Sequence, residues 1–112
     1  MSKTILSPVG KFSGRVVLSD PLTMPQVMAF EDGMQEARVL DEGKGVLTAR
    51  RLHTILSAVI PCVEKWELAG LPEVVTPDTF PGTPKMAVAK LIAWIVEEIT
   101  KLYNEADEIP NA

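Results

Sequence analysis

Apolar side chains recur at alternating spacings of four and three through the last quarter of the chain. The series consists of Val88, Ile92, Ile95, Ile99, Leu102 and Ala106. Because this spacing places all six on one side of a helix, it predicts a helix of about 22 residues, roughly 33 Å long, with a seam that packs against other elements. We expect Thr83 to cap this helix and Pro84 to occupy its first position.

Two further helices are predicted upstream. Thr23 and Gln26 have the spacing of a capping box, so a first helix should run from about Met24 to Arg38. A second helix is expected from about Thr48 to Ala69, because an apolar stripe continues past Pro61. That proline predicts either a kink or two shorter helices, and the continuing stripe favours the kink.

The start of the chain is the only strand-prone part. We expect a hairpin of roughly Thr4–Leu6 against Phe12–Leu18, with turn-forming residues at Pro8–Lys11. An isolated two-stranded hairpin is marginally stable in water. This hairpin must therefore pack on the helices or pair with another chain.

Four prolines between residues 71 and 84 predict an extended connector before the last helix, and its apolar side chains predict that it packs along the helices. The fold class expected from these elements is mainly α, a three-helix domain with an N-terminal β-hairpin and a proline-rich connector. A length of 112 residues suits a single domain, 1–112. Residues 1–20 would form the hairpin, a glycine-containing break would lie at 41–45, and residues 107–112 would form a flexible acidic tail.

Charge and hydropathy exclude two classes of partner. Fifteen acidic and eleven basic side chains give a net charge of -4, which lacks the positive surplus needed to neutralise a phosphate backbone. The longest apolar run, Leu91–Val96, is far shorter than the roughly 20 residues that span a bilayer. We therefore expect neither nucleic acid nor a membrane as partner.

The residues most often used in catalysis and metal binding occur without their usual companions. Cys62 is the only cysteine, which excludes an internal disulfide and a multi-cysteine zinc site. The single histidine, His53, has no carboxylate or cysteine at a metal-ligand spacing. Glu97 and Glu98 are adjacent and would diverge on a helix. The prediction is a protein that is not an enzyme and uses no metal or cofactor.

Several apolar side chains are candidates for contact with a partner. Trp94 falls outside the seam of the last helix, so either Phe80 of the connector folds over its indole or Trp94 anchors another chain. Met24, Met28 and Met34 are either ordinary core residues or an adaptable docking face of flexible thioethers.

Four segments of the chain carry a resemblance to small phage or prophage proteins encoded among tail genes. They read KWELAGLP at 65–72, TPDTFPGTP at 76–84, LIAWI at 91–95 followed by Glu98-Ile99, and DPLTMPQV at 20–27. The chain most resembles phage tail assembly chaperones, which are mainly helical, non-enzymatic proteins that hold the tape measure protein soluble and recruit tail tube subunits.

The resemblance implies a protein partner, the tape measure or the tail tube protein, and a location in the cytoplasm of a bacterial host cell. Apolar contacts to that partner would come from Trp94, Met28 and Met34, and also from Trp66 and Phe80. Two other classes stay open. One is a small head-to-tail or tail-completion protein of the virion that forms a homo-oligomer, and the other is a small regulator of a host protein.

Overall fold

In the computed structural model, which describes residues 2–41 and 48–105, three α-helices and a three-stranded antiparallel sheet share one hydrophobic core. The elements in chain order are β1 (Ser2–Leu6), β2 (Gly14–Ser19), α1 (Met24–Asp41), α2 (Ala49–Val59), β3 (Val63–Leu68) and α3 (Lys85–Glu105). Short 3-10 turns lie at Gly10–Phe12 and Ile60–Cys62. The fold is a mixed α and β domain in which the three expected helices are present, so the expected fold class agrees in outline, with a third strand added to the N-terminal hairpin.

The sheet has the strand order β1-β2-β3, with β2 at its centre. Ile5 pairs with Val16, which in turn pairs with Trp66, and these three side chains share the inner face. The register between β2 and β3 shifts between Val17 and Leu18, so that Glu64 is an additional residue, a β-bulge, on β3. The predicted hairpin is confirmed, with its strands slightly shifted and Phe12 buried in the turn between them.

The predicted second helix is wrong after Val59. Pro61 has no N–H to offer the carbonyl of Ser57, and the chain passes through a 3-10 turn there. Residues 63–68 then donate and accept hydrogen bonds along the open side of β2, so the outcome is a strand and neither a kinked helix nor a second short one. Gly70, which directly follows the predicted helix, has a φ of +87° in the turn after β3.

The capping box at the start of α1 is confirmed. The Thr23 N–H donates to Gln26 Oε1 at 2.7 Å, and the Gln26 N–H donates to Thr23 Oγ1 at 3.4 Å. The Gln26 amide also donates to Ser19 Oγ at 2.9 Å and to the Pro61 carbonyl at 3.0 Å. One side chain thus joins β2, α1 and the turn before β3. The helix continues to Asp41, beyond the predicted end at Arg38.

The seam of α3 is confirmed as the centre of the core. Its described members, Val88, Ile92, Ile95, Ile99 and Leu102, are all buried. The helix begins at Lys85, and the Pro84 carbonyl accepts from the Val88 N–H at 3.0 Å. Pro84 therefore takes the position before the first helical residue, which the sequence had assigned to Thr83.

The connector, residues 71–84, contains no helix or strand and packs on the core through Phe80, as predicted. Residues 42–45 of the predicted break, Ala106 of the seam and the predicted tail at 107–112 lie outside the described residues. None of the described helices is long and apolar enough to cross a membrane.

Candidate protein-binding surfaces

The structure places the five predicted contact residues in three separate regions. Met28 and Met34 lie on different sides of α1, Trp94 lies on α3, and Trp66 and Phe80 pack together where β3 meets the connector. Met28 is 55% exposed, whereas Met34, Trp66 and Trp94 are half-buried and Phe80 is buried. The sequence did not indicate this separation, because it depends on how the elements pack.

The ring paired with Phe80 is that of Trp66 and not that of Trp94. Their ring centroids are 5.7 Å apart, and the planes meet at 71°, an edge-to-face arrangement. The predicted position of Trp66 on a helix is thus corrected to the inner face of β3. This pair fixes the connector to the sheet and has little apolar surface left for a partner.

A groove with a volume of about 460 Å³ separates α1 from the C-terminal part of α3. Phe30 and Tyr103 pack across it with ring centroids 6.4 Å apart, and the Tyr103 hydroxyl donates to the Glu31 carboxylate. Among the described helices, α1 packs mainly against α2, which leaves this side of α1 open. We call this site the α1/α3 groove; it is lined by Phe30, Glu31, Asp32, Met34, Gln35, Arg38, Thr100, Tyr103 and Asn104.

Beside this groove, α1 exposes a second apolar side. Met24 and Met28 are one helical turn apart, and they are 70% and 55% exposed. Val39 is exposed near the other end of the helix. The opposite side of α1, which includes Phe30 and Ala37, is buried in the core. Because α1 exposes these apolar side chains among polar ones on the side opposite its buried face, the core alone does not account for its apolar residues.

A second groove, of about 510 Å³, lies between the β1–β2 loop and the start of α3. Lys11 comes from the loop and Lys90 from the helix, and Met86 beside them is 71% exposed. Within the described part of the chain, neither lysine has an ion-pair or hydrogen-bond partner. We call this site the lysine groove; it is lined by Pro8, Val9, Gly10, Lys11, Pro84, Met86, Ala87 and Lys90.

The lysine groove was not predictable from the sequence pattern. Residues 8–11 read only as turn-forming, and their contact with α3 joins distant parts of the chain. One signal was available. Lys90 is one helical turn before Trp94, so the half-buried indole lies at one end of this basic surface.

His53 holds the connector against α2. Its Nε2 lies 2.9 Å from Asp78 Oδ1, at the edge of a largely apolar pocket of about 190 Å³. The imidazole is half exposed, and this contact gives it a structural role. Within residues 2–41 and 48–105, no three His, Cys, Asp or Glu side chains converge to hold a metal ion.

Cys62 is completely buried between α1 and α2. Its Sγ lies 3.8 Å from the backbone oxygens of Gln26 and Ala58. Burial raises the pKa of the Cys62 thiol from 9.0 to about 11, because the thiolate would lose its hydration. At neutral pH this side chain is therefore a protonated core residue and not a reactive thiolate.

Comparisons of the chain with protein-family models, curated proteins and solved structures found no match. The resemblance to tail assembly chaperones therefore stays a prediction, which rests on the residues quoted for it.

Proposed function

We propose that this chain is a non-enzymatic, tail assembly chaperone-like protein that binds and solubilises the tape measure protein, tail tube subunits or both. The observation that carries the proposal is the exposure of large apolar side chains on α1 beside an open groove. Met24 and Met28 are exposed on one side, and the α1/α3 groove opens beside them. A surface of this kind suits a client that must be kept from self-association.

Binding would take the form of a helix in a groove. A tape measure segment is expected to present an amphipathic helix, whose apolar stripe would lie along α1 with its larger side chains in the α1/α3 groove. The thioethers of Met24 and Met28 adapt to side chains of different shape, so one surface can accept apolar stripes of different sequence. Removing the stripe from water supplies the binding free energy.

Charged side chains at the same surface would keep the complex in solution. Glu31 and Asp32 line the α1/α3 groove and belong to a chain whose net charge is -4. A client helix with lysine or arginine beside its apolar stripe would complement these carboxylates. Without a client, the negative charge at this surface would repel the same surface of other copies of the protein.

Co-expression with a tape measure fragment tests this proposal. We expect the fragment to become soluble and to co-purify with the protein. A Met28→Glu variant should lose most of this effect, because a carboxylate would enter the apolar contact. Val74→Glu is the matched control, since Val74 is comparably exposed but lies in the connector. Absence of a complex and of any gain in solubility with the wild-type protein would overturn the proposal.

The second candidate is a virion structural protein that self-associates. It is favoured by the position of β1, whose outer edge has no strand paired to it among the described residues. Mass spectrometry of purified particles separates the two candidates. A structural protein would be present in a fixed copy number per particle, whereas a chaperone would be absent.

A further inference from the structure

The lysine groove combines an apolar floor with two lysines that have no ion-pair or hydrogen-bond partner among residues 2–41 and 48–105. Pro84, Met86 and Ala87 supply apolar surface, while Lys11 and Lys90 approach from the loop and from the helix. No carboxylate lines this groove. Its chemistry therefore selects a short peptide that carries an apolar side chain next to two acidic ones.

The chain itself contains such a peptide just beyond α3. Residues 107–109 are Asp-Glu-Ile, with Pro110 after them. Two adjacent carboxylates precede one branched apolar side chain, which matches two lysines beside an apolar floor. Among the described residues, the adjacent acidic residues Glu97 and Glu98 are already within 4 Å of Lys101, and the adjacent pair Glu31 and Asp32 lines the α1/α3 groove.

This peptide cannot reach the floor of the lysine groove in its own molecule. Ala87 lies 18 residues before Glu105, which along a helix is about 27 Å. Ile109 is only four residues past Glu105 and extends at most about 14 Å from it. The remaining gap of about 13 Å is longer than any side chain. A match between the two therefore requires two molecules.

We propose that the lysine groove binds residues 107–109 of a second copy of this chain. The carboxylates of Asp107 and Glu108 pair with Lys11 and Lys90, and Ile109 packs on Met86 and Ala87. Two copies with antiparallel α3 helices place each peptide at the other's groove, so both contacts form in one closed dimer. Once one peptide is bound, the second peptide is held near its groove, so its effective concentration there is raised and the second contact forms more readily.

A charge-exchange experiment with full-length protein tests this proposal by sedimentation over a range of concentrations. The first variant carries Lys11→Glu and Lys90→Glu, and the second carries Asp107→Lys and Glu108→Lys. Each alone places like charges in the contact and should weaken dimerisation at least about tenfold. An equimolar mixture of the two should dimerise again, because every contact in the mixed dimer then joins opposite charges.

Two controls accompany the exchange. Lys3→Glu with Lys65→Glu makes the same change of net charge on the sheet, away from the groove, and should leave dimerisation unchanged. Ile109→Asp should weaken it without altering the lysines. Circular dichroism of each variant excludes unfolding as the cause.

Three results would overturn the proposal. They are a wild-type protein that stays monomeric, variants that associate as the wild type does, and a mixture that fails to recover. The first of these would leave the lysine groove to an acidic segment of a different protein. None of these results bears on client binding by α1, so the two proposals succeed or fail separately.

Discussion

Gly33 of α1 lies directly against Ala58 of α2. A methyl group at Gly33 would come within 2.5 Å of the Ala58 Cβ and 2.9 Å of its Cα. The glycine costs α1 about 1 kcal/mol of helix propensity relative to alanine. Because Gly33 has no side chain, α1 and α2 can approach closely at Ala58, which is fully buried.

Gly33→Ala should therefore destabilise the protein although it improves helix propensity. Overpacking typically costs about 1–3 kcal/mol, and an approach of 2.9 Å to the Ala58 Cα places this case at the upper end. After the gain of about 1 kcal/mol in helix propensity, we expect the free energy of unfolding to fall by about 2 kcal/mol in urea denaturation. Gly82→Ala is the control, since no atom lies within 4 Å of a methyl group there and its φ is not in the left-handed region. An unchanged or raised stability for Gly33→Ala would contradict the close helix contact.

Gln26 should contribute more to the free energy of unfolding than Thr23, its partner in the capping box. Thr23→Ala removes one capping hydrogen bond and should cost about 1 kcal/mol. Gln26→Ala removes the other capping bond, from the Thr23 N–H, together with the bonds to Ser19 and to the Pro61 carbonyl. This variant should cost about 2 kcal/mol. Gln26→Glu separates the two roles, because a carboxylate can still accept from the Thr23 N–H but cannot donate. If Gln26→Glu were as stable as the wild type, the bonds to Ser19 and Pro61 would contribute nothing.

The thiol of Cys62 should be unreactive in the folded protein. Its side chain is fully buried and remains protonated at neutral pH, so a water-soluble thiol reagent should label it only after unfolding. Labelling followed by mass spectrometry, with and without urea, measures this difference. Rapid labelling of the native protein would show that the turn at Ile60–Cys62 is open.

The same thiol should make stability depend on pH in the alkaline range. The folded-state pKa of about 11 lies above the ordinary 9.0, so the unfolded chain loses its proton first as the pH rises. The contribution is complete below pH 9 and is lost between about pH 9 and 11. Because other groups titrate there too, the wild type is compared with Cys62→Ala by urea denaturation. The wild type should lose more stability than the variant over this interval, and parallel curves would contradict the prediction.

Phe80 should determine whether the connector stays packed against the sheet. Phe80→Ala removes a buried ring and its edge-to-face contact with Trp66, at an expected cost of about 3 kcal/mol. In a Trp94→Phe background Trp66 is the only tryptophan, so its emission should shift to longer wavelength as water reaches the indole. Phe80→Leu should keep most of the stability and of the emission maximum. An unshifted spectrum in Phe80→Ala would show that another group covers Trp66.

The sequence predicted an element correctly where one hydrophobic period extended over many residues. It predicted an element wrongly where apolar residues of a strand also had helical spacing. The seam of α3 repeats over five turns, so the helix was predicted almost to the residue. However, Val63 and Trp66 of β3 also have helical spacing with Val59, the last residue of α2. The bulge at Glu64 interrupts the alternation that would have indicated a strand. A bulge and a preceding proline together made a strand resemble the end of a helix.

The candidate surfaces were less predictable than the elements that form them. The sequence left both a core position and an exposed position open for Met28, and the structure places it 55% exposed. The two grooves were not predicted, since each is formed by residues far apart in sequence, such as Lys11 and Lys90. The pairing of Phe80 with Trp66 instead of Trp94 has the same origin, because the wrong assignment of β3 placed Trp66 on a helix.

The order of strands in the sheet determines when the chain can fold during its synthesis. The β1–β2 hairpin emerges from the ribosome before the third strand of its sheet, which follows only after both α1 and α2. Two strands alone are not stable in water. The part of the chain before β3 therefore has no stable sheet. The sheet can form only when β2 contacts the distant β3. We expect folding to be slower than that of a purely helical chain of this size, because such long-range contacts form slowly.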